Sequence, residues 1–103
     1  MALSLQVIYP IEDDTHFDYD YYLETHMPLV GQHMGPHIDQ VLVTKGIAGG
    51  GPDAPPGSYA VATMTFADQD ALNAAMAAAG PVVADLPNFT NAKAQMLVGE
   101  VIA

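Results

Sequence analysis

Phe17-Asp18-Tyr19-Asp20-Tyr21-Tyr22-Leu23-Glu24-Thr25-His26-Met27-Pro28-Leu29-Val30 gathers three of the chain's five tyrosines, a histidine and a proline into one segment. Residues three and four apart share a helix face. Read as a helix, the segment places Asp18, Tyr22, His26 and Leu29 or Val30 in one row, with Phe17, Tyr21, Glu24 and Pro28 in a second. The spacing predicts a helix from Phe17 to about Met34, ended by Gly35 and Pro36. Pro28 lacks an N–H and crowds the preceding turn, which predicts a bend or break just after His26.

The flanks have a different period. Leu3, Leu5, Val7 and Tyr9 alternate with Ala2, Ser4, Gln6 and Ile8, the pattern of a strand, and Pro10 stops it. From His37 to Lys45 a strand pattern returns, with Ile38, Leu42 and Thr44 on one side and Val41 and Val43 on the other. Gly46 to Gly57 holds five glycines and three prolines and predicts a mobile loop. No Lys-Ser or Lys-Thr follows these glycines, so the loop is not a phosphate cradle. Ser58 to Phe66 is a third strand, apolar or β-branched on both faces. Asp68 N-caps a second helix carrying Leu72, Ala75, Met76 and Ala79, with Gly80 and Pro81 as its terminator. Val82, Val83, Leu86 and Phe89 read as a short helical turn, Pro87-Asn88 as a turn, and Ala92 to Ile102 as a fourth strand.

The order strand, helix, strand, strand, helix, strand is that of an α+β, ferredoxin-like βαββαβ unit with a four-stranded antiparallel sheet. Two helices cover one face of such a sheet, yet these strands carry apolar residues on both. The expectation is a homodimer in which two sheets pair face to face as a shared α+β barrel.

Composition narrows the function classes. At 103 residues the chain reads as one domain with a modest core. Half of its residues are hydrophobic and its mean hydropathy is +0.19, which favours extra burial against a partner subunit. Twelve acidic residues face two basic ones, Lys45 and Lys93, with no arginine, for a formal net charge of −10. Nucleic-acid binding draws its affinity from Lys and Arg at phosphates, so that class is excluded, and affinity for anionic membranes with it. The acidity fits either high-salt adaptation or plain solubility. The absence of cysteine excludes disulfides and thiolate metal sites. No segment has the apolar length of a membrane span, and the N-terminal residues do not resemble a secretory signal, so the expected location is cytoplasmic.

Half of the acidic residues fall between positions 12 and 24. They read either as a solvated loop with favourable charge at a helix N-terminus or as a cation site on Asp13, Asp14 and His16, which lacks the glycine and terminal glutamate of a calcium loop. His33 and His37 have the i, i+4 spacing of a metal pair, but Gly35 and Pro36 between them break the shared face, and no metal is assigned. No nucleophilic triad or nucleotide fingerprint is present.

Phe17-Asp18, Tyr21-Tyr22 and His26-Met27-Pro28-Leu29-Val30 resemble the helix motif of the EthD family, named for ethyl tert-butyl ether degradation. Asp85-Leu86-Pro87-Asn88-Phe89-Thr90-Asn91, ahead of Gly99-Glu100-Val101, is similar to the family's C-terminal pattern, and the resemblance runs from Leu5 to Val101. It implies one EthD-like domain over residues 1–103, a dimeric α+β barrel and a ligand held between the helices and the sheet. Related barrels include cofactor-free monooxygenases, polyketide cyclases, decarboxylases and haem-degrading enzymes. The lack of arginine departs from that pattern and argues against a carboxylate- or phosphate-anchored substrate.

On that geometry His26 faces the cleft, where it would donate or accept a proton, and Tyr22, one turn earlier, would orient a ligand oxygen. Tyr9 and Phe89 are candidate cleft walls, and Asp18 a further substrate contact on the same row. The competing reading has His26 bonded to a backbone carbonyl freed by Pro28, with the aromatics and Met27, Met34, Met64, Met76 and Met96 as core. Two functions are expected: an oxidoreductase-like, cofactor-free enzyme acting on a small apolar or aromatic compound, or a non-catalytic protein that sequesters such a compound or supports a partner oxygenase.

Overall fold

The structure, a computed structural model, describes all residues 1–103. Strand β1 (Leu3–Pro10) leads to a helical segment in three parts: α1 (Tyr19–Tyr21), a π-helical turn (Tyr22–His26) and α2 (Met27–His33). A 3-10 turn (Gly35–His37) precedes β2 (Gln40–Lys45) and β3 (Ser58–Phe66). Helices α3 (Gln69–Ala77) and α4 (Gly80–Ala84), a second 3-10 turn (Leu86–Asn88) and β4 (Gln95–Glu100) complete the chain. The strands form one antiparallel sheet in the order β2-β3-β1-β4, the ferredoxin-like α+β arrangement.

The alternation in β1 is the one its sequence requires. Leu3, Leu5, Val7 and Tyr9 are buried under the helices, opposite Phe66, Met64, Ala62 and Ala60 of β3. Small alanines beside large neighbours leave room under the helices. On the other sheet face the cross-strand row Leu42, Thr63, Gln6, Leu97 runs beside the row Thr44, Val61, Ile8, Gln95. That face has no covering layer, and Leu42 and Leu97 are 66% and 56% exposed on it.

Several boundaries differ from the sequence reading, each for a local reason. The first helix begins at Tyr19, because the Asp18 side chain accepts from Tyr21 N–H (3.1 Å) as its N-cap, while Phe17 bridges to Thr90 in extended conformation. The chain does not break after His26. It widens before Pro28 into a π turn in which Met27 N–H donates to Tyr22 O, and the helix continues to His33. The wider turn accommodates the proline ring against the preceding carbonyls. The 3-10 turn at Pro36 delays β2 to Gln40 instead of His37. Gly80 and Pro81 open α4 rather than merely ending α3, since proline suits the first turn of a helix. The last strand is confined to Gln95–Glu100, the part of the expected Ala92–Ile102 that pairs with β1.

The acidic loop is clamped by the C-terminal half. Asn91 Oδ1 accepts from His16 N–H (2.8 Å), Asn91 Nδ2 donates to Asp14 O (2.8 Å), and Thr90 Oγ1 donates to His16 O (2.7 Å). Asp14 takes a positive φ of 64° in the tight turn this creates. Neither Asp13, Asp14 and His16 nor His33 and His37 belong to a cluster of three or more metal-ligating groups.

Seven of the eight aromatic residues then meet in one knot. Phe17 is its hub, with ring centroids 4.8–5.5 Å from Tyr9, Tyr19, Tyr22, Tyr59 and Phe89. Lys45 Nζ lies 4.4 Å from the centroid of the Tyr19 ring. Phe17→Ala is expected to cost about 3 kcal/mol, read as a drop in the urea midpoint at constant slope. Gly46→Ala is expected to destabilise by about 1–3 kcal/mol, because an added methyl overlaps the Ser58 carbonyl oxygen, part of the chain's return into β3.

Candidate active site

Between the helices and the sheet lies a small cavity of ≈ 50 Å³, open to solvent on one side and lined by sixteen residues of which only His26 is not hydrophobic. Five of the six methionines line it: Met27, Met34, Met64, Met76 and Met96. Neither lysine does.

The π turn positions the polar groups. Residues four apart share a face of an α-helix, and the wider π turn keeps them on one face. Tyr22 and His26 are accordingly stacked, centroids 5.5 Å apart and planes 19° apart, on the face continued by buried Val30 and Met34. His26 is 2% exposed and also packs on Phe89 at 4.5 Å.

The imidazole is anchored by a carboxylate. His26 Nδ1 lies 2.9 Å from Asp85 Oδ2, and Asp85 Oδ1 accepts from Tyr21 Oη (2.6 Å) and Asn88 Nδ2 (2.9 Å). Burial pushes the Asp85 carboxyl up, but the hydrogen bonds from Tyr21, Asn88 and His26, with the His26 charge, outweigh it and hold Asp85 below the ordinary carboxylate range. The same bond to Asp85, then burial, holds the Tyr21 phenol above its ordinary range. An ionised carboxylate only accepts, so Nδ1 carries a proton, and a lone pair is available on Nε2 whenever the ring holds no second proton. Nε2 has no hydrogen-bond partner in the protein and is not fully sealed.

The two phenols of the cavity wall are unusual in another way. Tyr22 Oη is the one sealed side-chain polar atom with no hydrogen-bond partner. The Tyr9 ring packs edge-on against Tyr22, centroids 5.7 Å apart, and the two phenols affect each other's ionisation. Burial pushes Tyr22 up to about 12, partly offset by the Tyr9 hydroxyl. Burial, then the Tyr22 charge, pushes Tyr9 higher still. Both therefore remain neutral donors at any ordinary pH.

The structure thus brings together His26, Tyr22, Tyr9 and Phe89, although Phe89 packs behind the imidazole rather than lining the cavity. Asp18 stands apart, exposed and used as a cap. The His26 imidazole is held by a side chain, not by a backbone carbonyl freed at Pro28. Sequence reasoning missed Asp85, fifty-nine positions from His26. The available signal was its place as the sole acid in the apolar run from Val82 to Phe89.

Two outcomes follow from this wiring. Asp85 is depressed in the folded state, so its contribution to stability is complete above its unfolded pKa and is lost as pH falls through the lower folded value. Between pH 7 and about pH 3, Asp85→Asn is expected to lose less stability than the parent, measured by urea denaturation across that range. Tyr22→Phe removes a sealed, unpartnered hydroxyl and is expected to stabilise by about 1 kcal/mol, raising Tm by about 5 °C in a thermal melt.

Comparison with known proteins agrees with this architecture. An EthD-like protein from Ralstonia eutropha JMP134 is 29% identical and superposes with a TM-score of 0.88, over 99% of this chain and 93% of that one. An ethyl tert-butyl ether degradation family protein from Bacillus halodurans C-125 is 19% identical, with a TM-score of 0.67 over 99% and 100%. SnoaB, a cofactor-independent oxygenase from Streptomyces nogalater, shares the fold at 12% identity, with a TM-score of 0.60 over 98% and 95%. No curated protein matches the sequence significantly. The EthD domain model matches residues 13–93, a span that includes both His26 and Asp85, and the chain belongs to the EthD family.

Proposed function

We propose that the chain is a small-molecule enzyme, one EthD-like unit, that holds a small apolar or aromatic compound between its helices and sheet and uses His26 to move a proton. The observation that carries this reading is a single imidazole, fixed from behind by Asp85, in a cavity otherwise lined by hydrophobic side chains. With Nδ1–H given to Asp85, Nε2 accepts a proton from the ligand, and the carboxylate stabilises the imidazolium that forms. The hydroxyl expected to orient a ligand oxygen, that of Tyr22, is sealed, and its ring instead stacks on the imidazole and fixes its plane. The apolar lining excludes water and strengthens each polar contact within it. Isomerisation of an activated carbon acid begins with such a step, as does its oxygenation with dioxygen as the oxidant, and in a decarboxylation the imidazolium would return a proton to the carbon that CO₂ leaves. SnoaB, with the same fold, is a cofactor-independent oxygenase.

His26→Gln keeps a donor for Asp85 and removes the base. Turnover across a panel of uncharged aromatic ketones and hydroxyarenes, followed by chromatography and oxygen uptake, is expected to fall by about 10²–10⁴-fold with the fold retained by circular dichroism. Undiminished turnover in that variant would sink the assignment. Asp85→Asn inverts the imidazole tautomer and is expected to lower turnover similarly while ligand affinity changes little. The almost wholly apolar lining also favours a second reading, storage of a hydrophobic metabolite or support of a partner oxygenase. On that reading a compound co-purifies, is released unchanged, and binds His26→Gln as it binds the parent.

The functional unit in this proposal is a homodimer. An accessible surface of 6224 Å² exceeds the roughly 5,500 Å² expected for a monomer of this mass. The uncovered sheet face with Leu42 and Leu97 is where the excess can be buried. Light scattering is expected to report a dimer at micromolar concentration, and Leu97→Lys to shift it toward monomer.

A further inference from the structure

A second recess adjoins the His26 cavity on the other flank of α2. It has a volume of ≈ 180 Å³ and lies against β2, and Met27 and Val30 line both spaces. The floor is continuous as well. Met64 of β3 lies under the inner cavity, and its cross-strand neighbour Val41, on the same sheet face, lines the outer recess. The two spaces therefore meet beneath one helix, at the side chains of Met27, Val30 and Met64. Two of these are unbranched thioethers with three rotatable bonds, which move aside at little cost.

Glycine keeps the outer recess open. Gly31 lies inside α2, where glycine is less stable than alanine. Apart from the adjacent helix backbone, no atom lies within 4 Å of a methyl group built on Gly31 or Gly35. Close packing therefore does not call for glycine at either position. What the missing side chains leave is the recess they line. At a rise of about 1.5 Å per residue, it extends roughly 12 Å along the helix from Met27 to Gly35. Its polar end only accepts. The N–H groups of Asp39 and Gln40 are committed to the carbonyl and hydroxyl of Thr65. The Asp39 carboxylate is exposed at the rim and has no ion pair, since His26–Asp85 is the only one in the chain.

We infer that the inner cavity and the outer recess are two ends of one binding channel beneath α2, shaped for an elongated amphiphile with its apolar ring beside His26 and a protonated amine at Asp39. This rests on the reading of the inner cavity as the ligand site and adds the length and charge of the ligand. Met27 and Met64 then act as the adjustable neck, and Asp39 selects against an acidic tail, as does the net charge of −10.

The test titrates the full chain with benzyl alcohol, 6-phenyl-1-hexanol, 6-phenylhexylamine and 6-phenylhexanoate by calorimetry. Each methylene taken from water adds up to about four-fold in affinity, so 6-phenyl-1-hexanol is expected to bind at least 10²-fold tighter than benzyl alcohol. The amine should gain about three-fold more at an exposed carboxylate, and the carboxylate probe should bind weakest of the long three. A helical side chain leans back over the preceding turn, so Gly31→Leu fills the recess beside Met27. That variant is expected to keep its thermal midpoint and its affinity for benzyl alcohol and to lose at least ten-fold for 6-phenyl-1-hexanol. Asp39→Asn should erase the amine preference and keep the dependence on length. In amide NMR spectra the long probes should shift both His26 and Gly31, and benzyl alcohol His26 alone. Equal affinity for the short and long alcohols overturns the channel and leaves the inner cavity as the ligand site, as does a long-chain gain that survives Gly31→Leu. Long probes that shift Gly31 without His26 overturn it too, by placing the whole ligand outside. An amine preference that is absent, or that survives Asp39→Asn, overturns the role of Asp39. Failure of every probe to bind overturns the channel and the reading of the inner cavity together.

Discussion

The missing N–H of Pro28 is the constraint from which the arrangement of this molecule follows. An α-helix running into it would lose a hydrogen bond and crowd the carbonyl one turn earlier. The chain instead opens by one residue over Tyr22–His26 and closes again at Met27. That single extra residue sets the phase of all that lies before it. It stacks Tyr22 on His26, keeps both on the face of Val30 and Met34, and turns Tyr21 toward Asp85.

The other half of the chain completes what the π turn begins. Asp85 follows α4, and the 3-10 turn after it returns Asn88 to the same carboxylate. Thr90 and Asn91 then bind the loop ahead of α1, so the segment 85–91 grips the first helical region at both its start and its middle. Fold and chemistry share these contacts. A carboxylate that accepts three hydrogen bonds is a structural tie, and the same carboxylate decides which nitrogen of His26 is free.

The fold was legible because its signals were periodic or local. Leu3, Leu5, Val7 and Tyr9 give a period of two over one face, Asp68 caps α3 as its sequence suggests, and β3 holds its expected span. What was not legible depended on competition between neighbours. Pro28 announces a disturbance, but whether a helix breaks or widens is decided by the packing of Tyr22 and His26 in the core. Gly80-Pro81 can end one helix or begin the next, and the apolar Val82 draws it into the second role. At the candidate site, the row spacing found Tyr22 and His26, and the strand end found Tyr9. Asp85 required knowledge of a contact across fifty-nine residues, which no local period contains. Asp18 shows the reverse error of a row argument: it lies on the right stripe but one residue outside the helix, where its carboxylate serves the backbone.

The five methionines that line the cavity give it a chemical age. Thioethers are the soft part of an apolar wall, and each becomes a polar sulfoxide on oxidation. Met76 and Met96, 40% and 52% exposed at the entrance, meet an oxidant first, whereas buried Met34 and Met64 are shielded. An S=O group at either position would add a strong acceptor to a wall that has almost none, while the shielded thioethers of Met34 and Met64 stay apolar. Wear of this protein would therefore begin at the doorway, with its core still sound.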